Sequence, residues 1–427
     1  MSITFEERLR ESMSLPRVYF DHAATTQPRP EVIEIVAKAL QDTYGNPSSF
    51  YEEGHRAVRL LEESRAEIAA GLKVLPEEVF FTSCGTESDN WAIKGTAYAR
   101  QGKGRHLITT TIEHHAVLHS MEALEKQGFE VTYLDVDYTG LLDPEKVRAA
   151  IRPDTILVSV MMANNEIGTI LPIREIGAIC REKGVLFHSD AVQALGAIPV
   201  HPRDLNCDMM SFSGHKLYAP KGIGLMYKRK GLRIDRLIDG GAQERRQRGG
   251  TENAAFAAGF AKALQMSVAD MEHESVRQAA LRDRLIRGVI ERIPHAKLNG
   301  HPTRRLPNNA NFSFEFIEGE SILLLLDSLG YACSSGSACT SASLDPSHVL
   351  LGIGMPAEIA HGSLRVTLGI DSTEEQVDRF LLDLPLIVER LRDMSPLYSD
   401  FKRGKLHPLI PEKGGTDIRI EGQYNLD

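Results

Sequence analysis

Ser211-Phe212-Ser213-Gly214-His215-Lys216 closes an apolar run, Asp208-Met209-Met210, with two serines, a glycine, a histidine and one lysine. The run reads as a buried strand, and a lysine at its end is not an ordinary solvated cation. Desolvation favours the neutral amine, a nucleophile suited to Schiff-base chemistry. The serine and histidine beside it suit a phosphate. Upstream, Gly184-Val185-Leu186-Phe187-His188-Ser189-Asp190 is a second apolar strand that ends in an acid and continues into Ala191-Val192-Gln193. An acid and a lysine at the ends of two strands of one sheet can grip the two ends of a pyridoxal ring, the acid on the pyridinium proton and the lysine on the aldehyde. Singly, Asp190 reads more readily as the cap of a helix at Ala191, and Lys216 as a surface residue after a turn. The motifs elsewhere in the chain favour the paired reading.

Around these two strands the chain alternates apolar strand and helix. Strands are expected at Glu78 to Thr82, His106 to Thr110, Glu130 to Leu134, Thr155 to Met161, Val185 to His188, Cys207 to Phe212 and Gly224 to Tyr227, with helices such as Ala116 to Gln127, Pro144 to Ile151 and Ile173 to Lys183 between them. This alternation implies an α/β fold with a mostly parallel sheet covered on both faces. Ligands on such sheets bind beyond the carboxyl ends of the strands. Thr86, His114, Asn165, Asp190 and Lys216 all fall there, which argues for one composite site. Ser83-Cys84-Gly85-Thr86-Glu87-Ser88, ahead of a helix expected from about Asp89, suits an anion through backbone N–H groups and the helix dipole, or serves as a plain N-cap.

Nearer the N-terminus, Val32, Ile35, Val36 and Leu40 fall on one face of an expected helix, and a further helix runs from Gly54 to Leu72. After Gly249-Gly250-Thr251-Glu252-Asn253 the pattern changes. Ala254 to Ile293 reads as one or two helices, followed by a strand with Phe312, Phe314 and Phe316 on one face. The expected organisation is an N-terminal segment, 1–18, packing with the smaller domain; a large domain, 19–260; a smaller α+β domain, 261–400, carrying a cysteine loop at 331–343; and a weakly periodic, irregular tail, 401–427.

The formal charge of -9 in 427 residues argues against a nucleic-acid binder that works by bulk electrostatics. Five cysteines without a regular framework point to a reducing compartment, and Cys333 and Cys339 lack the flanking ligands of a zinc site. The N-terminal stretch carries Glu6, Glu7 and Glu11 and lacks the apolar core of a signal peptide, and the longest aliphatic run, Ile322 to Leu326, is too short to span a bilayer. A cytoplasmic protein without direct membrane contact is expected.

Cys333-Ser334-Ser335-Gly336-Ser337-Ala338-Cys339-Thr340-Ser341-Ala342-Ser343 is the most unusual segment. It reads either as a Gly/Ser connector with two incidental thiols or as an accessible, movable cysteine. Gly362-Ser363-Leu364-Arg365-Val366-Thr367-Leu368 places an arginine inside an apolar strand, where it needs an anion: an internal partner or a ligand carboxylate. With DHAATT, TESDN, EHHAV, NNEIG, HSDAVQ, SFSGHK with PKGIG, RGGTEN and SSGSACTSASLDPSHVL in order, the chain resembles the cysteine desulfurases of the NifS/IscS type, in the class V aminotransferase group of pyridoxal-phosphate enzymes. The likeness runs from about Tyr19 to Tyr398.

The resemblance implies a large pyridoxal-phosphate domain with a mostly parallel seven-stranded sheet flanked by helices, plus a smaller α+β domain. It implies that Lys216 holds the aldehyde and Asp190 the ring nitrogen, that Gln193 meets the ring phenolate, and that His114 stacks on the ring and shuttles protons. Thr86, Ser213 and His215 would hold the phosphate, with Thr251 reaching it from the partner of a homodimer. Asn165 and Arg365 would fix the carboxylate of L-cysteine, and Cys339 would attack its sulfur, leaving alanine and a persulfide. The sulfur would pass to an iron–sulfur scaffold protein or another acceptor, and no metal is expected beyond contact of Cys339 with a nascent cluster. The alternatives are selenocysteine lyase or another class V activity on this scaffold, and a sulfur-relay protein whose cofactor site is vestigial. Cys84 stands where a small residue is expected, and Cys333 could trap a persulfide as a disulfide, though incidental thiols are the plainer reading of both.

Overall fold

Strands form wherever a short apolar run is bounded by turn residues. In the computed structural model, which describes residues 4–335 and 346–412, they are β1 (Val18–Tyr19), β2 (Val79–Thr82), β3 (His106–Thr110), β4 (Glu130–Leu134), β5 (Thr155–Ser159), β6 (Leu186–Asp190), β7 (Met209–Ser213), β8 (Gly224–Lys228), β9 (Ala296–Asn299), β10 (Asn309–Phe314), β11 (Tyr331–Ala332) and β12 (Ser363–Thr367). Seven of them build the main sheet in the order β2-β8-β7-β6-β5-β3-β4. The strands from β3 to β7 pair in parallel, whereas β8 runs antiparallel to β7 and β2. Side chains alternate across the sheet. Ile108, Val158, Phe187, Met210 and Leu225 enter the core on one face, and Leu107, Leu157, Leu186, Met209 and Met226 that on the other. Burial on both faces explains why these strands read as continuous apolar runs.

The helix after β2 spans Gly85–Arg100, four residues earlier than the sequence suggested. Small residues made its first turn look like loop. Gly85 is required there because a Cβ would lie 2.8 Å from Val192 Cγ2, so the helix start can close onto the turn after β6.

The helix Ala254–Arg292 is continuous over 39 residues, roughly 60 Å at 1.5 Å per residue. Its first half buries Ala254, Ala257, Phe260, Ala261 and Leu264 in the main core, and its second half buries Leu281, Leu285 and Val289 in a second core. Residue 260, where the sequence places a boundary, lies inside this shared helix. Around the second core, β9, β10 and β12 form an antiparallel sheet in the order β12-β10-β9. Phe312 and Phe314 pack there at zero exposure. Phe316 does not continue their row: its φ of +73° ends the strand, and its ring packs 5.0 Å from that of Phe401.

Two further expectations change. In the helix Pro30–Asp42 only Val32, Val36 and Ala39 are buried, because the helix meets Ala254–Arg292 along a narrow stripe at Gly259. Ile35 and Leu40 stay exposed. Nor is the described part of the tail irregular throughout. Pro396–Lys402 is helical, Ile410 is fully buried, and the N–H groups of Leu409 and Ile410 donate to Glu315 at 2.8 and 2.9 Å. Among the described residues no helix is long and apolar enough to cross a membrane.

Candidate active site

At the carboxyl ends of the parallel strands lies a cleft of about 330 Å³. Lys216 arrives through the 3-10 turn Gly214–Lys216 that follows β7. Gly214 allows that turn to pack against Ile223, whose Cγ2 would lie 2.8 Å from a Cβ. The Lys216 ammonium donates to the carbonyls of Ala23 and Ala24, the latter at 2.7 Å. Gln193 Nε2 donates to the same Ala23 carbonyl at 3.0 Å. The DHAATT segment thus supplies a wall of backbone acceptors.

Asp190 is the last residue of β6 and is 6 % exposed. It accepts the Val192 N–H at 2.9 Å. Burial pushes its carboxyl up to about 6, against the pull of Val192 and Lys216. Asp89, from the TESDN helix, lies behind it. One of its oxygens is buried without a hydrogen-bond partner. Burial, and then the neighbouring Asp190, hold its carboxyl well above the usual range. Ligating atoms of Asp89, Asp190 and His114 lie within 4.8 Å of one another. Asp190, raised only to about 6, is mostly a carboxylate near pH 7 and can accept a ring N–H, whereas Asp89 behind it favours its proton. Beneath them His188, driven down to about 3 by burial, bridges Ser159 and Ser211 at 2.9 Å each.

His114 caps the helix His115–Glu125, its Nδ1 accepting the Ala116 N–H at 3.1 Å. Burial first, then Lys216 and the neighbouring histidines, lower it to about 4, so it is neutral near pH 7. His215, also lowered to about 4 by burial and then Lys216, has Nδ1 3.2 Å from Thr25 Oγ1. Thr86 sits in the first turn of its helix, whose leading N–H groups lack intrahelical acceptors. With Ser213 and His215, it lines the same cleft.

Asn165 and Arg365 also line the cleft. The Arg365 guanidinium donates to the Asn165 carbonyl at 3.1 Å and to Asp21 at 2.9 Å, while its buried Nε has no partner. It therefore has an internal counter-ion and one nitrogen without a partner. Thr251 is exposed and is not among the residues lining this cleft. Cys339 and the rest of 336–345 lie outside the described residues. The Cys333 thiol is pushed up by burial, unlike a reactive thiolate. Cys84 lines the cleft as the N-cap of the Thr86 helix and makes no side-chain cap bond.

Sequence reasoning missed Asp89, Asp21 and the carbonyls of Ala23 and Ala24. All four residues lie inside motifs already singled out, TESDN and DHAATT, but contacts between segments distant in sequence give them their roles.

A lysine, a buried acid and a helix N-terminus converging at one edge of a mostly parallel sheet define a cofactor-type cleft of the α/β class. The chain belongs to the aminotransferase class-V family, whose profile matches residues 18–380. It is 54 % identical over 380 residues to the cysteine desulfurase IscS of Methanosarcina thermophila, covering 89 % of this chain and 94 % of that protein. Among solved structures, a NifS-like protein superposes with a TM-score of 0.83 at 39 % identity, covering 88 % of this chain and all of that one. A structure of SspA in complex with cysteine matches at a TM-score of 0.73 and 35 % identity, covering 82 % and 98 %.

Proposed function

We propose that the protein is a pyridoxal-phosphate-dependent cysteine desulfurase, which converts L-cysteine to L-alanine and carries the sulfur as a persulfide on Cys339. The observation that carries this reading is the convergence of Lys216, Asp190, His114 and Arg365 in one cleft, in a chain 54 % identical to a cysteine desulfurase. The donor set fits the cofactor. Lys216 would hold the aldehyde, Asp190 the ring-nitrogen proton, and Gln193 the phenolate. Thr86, Ser213, His215 and the helix N-terminus would hold the phosphate. When bound, pyridoxal phosphate supplies an electron sink conjugated to the substrate's α-carbon.

The chain's own residues do the rest. Arg365 and Asn165 orient the α-carboxylate, which fixes the α-hydrogen and the sulfur relative to the catalytic groups. The Lys216 amine would take up the α-proton. His114 is neutral and can accept or return a proton at the ring face. The Cys339 thiolate attacks the substrate sulfur: an S–S bond forms, the C–S bond breaks, and its electron pair stays on carbon, which becomes the alanine methyl on protonation. Atoms and electrons balance without an external oxidant. The persulfide then passes to an acceptor for iron–sulfur assembly or thio-modified RNA.

A homodimer is part of the reading. Ile33, Leu40 and Phe50 are 53 %, 58 % and 95 % exposed, apolar surface that a partner would cover, and Thr251 is available to a second copy. The division into residues 19–260 and 261–400 likewise stands as a proposal, supported by the two cores. The test is alanine formed from L-cysteine under reductant, with wild type and Cys339→Ala in parallel. Alanine from the wild type alone is the expected result. Alanine from both removes Cys339 as the sulfur carrier, and alanine from neither overturns the activity.

A further inference from the structure

The chain enters the cysteine segment through a junction of three strands. β1 and β11 run parallel, Tyr19 opposite Ala332, and two residues beyond those partners lie Asp21 and Ser334. Ser334 bridges Arg365 of β12, whose N–H donates to the Ser334 carbonyl at 2.7 Å. Asp21 bridges Thr367 of the same strand. The topology therefore delivers all three side chains to one place.

There the Asp21 carboxylate is divided. One oxygen accepts Arg365 Nη2 at 2.9 Å, and the other accepts the Ser334 hydroxyl at 2.7 Å. Arg365 is 2 % exposed and lines the cleft. Ser334, at 6 % exposure, stands five residues before Cys339.

We propose that Asp21 is a positioning residue common to the substrate-carboxylate site and the chain leading to Cys339: it neutralises Arg365, so that α-carboxylates bind loosely enough to exchange, and it anchors Ser334. The inference deepens the proposed function and rests on it. A carboxylate arriving at a bare buried guanidinium meets a full positive charge. Arriving at the Arg365–Asp21 pair, it meets a cation already compensated, and uses the free Nε edge. Because one carboxylate serves both partners, its removal is felt at Arg365 and at Ser334 alike.

The test compares wild type, Asp21→Asn, Ser334→Ala and the double variant as cofactor-loaded enzymes. L-Alanine affinity is read from the visible absorbance of the bound cofactor, and KM and kcat from alanine formed from L-cysteine. Asp21→Asn is expected to bind L-alanine at least about threefold more tightly and to lose about tenfold in kcat, a split that general damage to the fold would not produce. Ser334→Ala lowers kcat and leaves alanine affinity unchanged. The double variant matches Asp21→Asn, because both changes break one unit. Unchanged or weaker alanine binding by Asp21→Asn overturns the proposal, as do kcat losses that multiply. Should Asp21→Asn fail to fold, an unchanged kcat in Ser334→Ala overturns the anchoring role by itself. A wild type that forms no alanine from cysteine would sink the proposed function instead, with the alanine-affinity comparison still deciding the role of Asp21.

Discussion

Replacing Glu166 by glutamine should change how stability depends on pH. Glu166 follows Asn165 and is 5 % exposed. Its N–H donates to Asn164 Oδ1 at 2.9 Å, and its carbonyl accepts the side-chain amides of Asn309 and Asn311 at 3.2 and 3.1 Å. Its carboxyl accepts the Ser347 hydroxyl, just beyond the cysteine segment. Burial raises that carboxyl from 4.5 to about 7, opposed by Ser347 and Arg365. The folded state therefore holds the proton more tightly than the unfolded chain, and stability falls as pH rises from about 4.5 through about 7. The loss is roughly 3 kcal/mol, since each unit of pKa difference corresponds to about 1.36 kcal/mol. Glutamine has the same shape, stays neutral and still accepts from Ser347. Urea unfolding at pH 5, 6.5 and 8 should show the variant close to wild type at pH 5 and more stable by up to about 3 kcal/mol at pH 8. Parallel stability curves over that range would refute the argument that Glu166 is held as a neutral acid.

Lys216→Ala should lose at least about 100-fold in alanine formation, the usual scale for a positioned proton-transfer group, together with the visible absorbance of the loaded enzyme. A variant that keeps that absorbance unshifted would remove Lys216 from its role. Asp190→Asn should weaken cofactor binding to the apo protein by about tenfold or more, by loss of a charge-assisted bond, read by titration of absorbance; unchanged affinity would displace Asp190 from the ring nitrogen. Arg65→Ala should destabilise the protein by about 3–5 kcal/mol, because it strands a buried carboxylate: Arg65 and Glu244 are each 2 % exposed and meet at 2.8 Å. A denaturation midpoint equal to wild type would show that Glu244 finds another partner or a proton.

The large sheet was readable because strands buried on both faces are written as unbroken apolar runs, and six of its seven strands have every residue buried. What pattern could not supply was the placement of small and aromatic residues whose periodicity is ambiguous. Gly85-Thr86-Glu87-Ser88 looked like loop because nothing in it is apolar, although a close approach to Val192 requires the helix to start there. Phe316 looked like strand because it keeps the two-residue spacing of Phe312 and Phe314, and only its left-handed backbone shows otherwise. Leu409 and Ile410 looked like tail because two residues make no period, yet their N–H groups satisfy the buried carboxyl of Glu315.

The candidate site was legible to the extent that residues of suitable type fall together just past strand ends. Lys216, Asp190 and His114 announce themselves by type and by their place at strand ends. Asp89 does not, since an acid in the first turns of a helix has an ordinary explanation in the helix dipole. Its significance arises only when its helix packs on β6 and β7 and Asp190, a second buried acid, comes against it. Arg365 shows the same limit from the other side. In sequence, an arginine within an apolar strand poses a choice between an internal salt bridge and a ligand carboxylate. The structure supplies the internal partner: Asp21 takes one edge of the guanidinium, Asn165 another, and Nε is left buried without a partner. A buried donor left unsatisfied is costly, about 1–3 kcal/mol, so in the proposed function the internal salt bridge to Asp21 and a substrate carboxylate at Arg365 need not exclude each other.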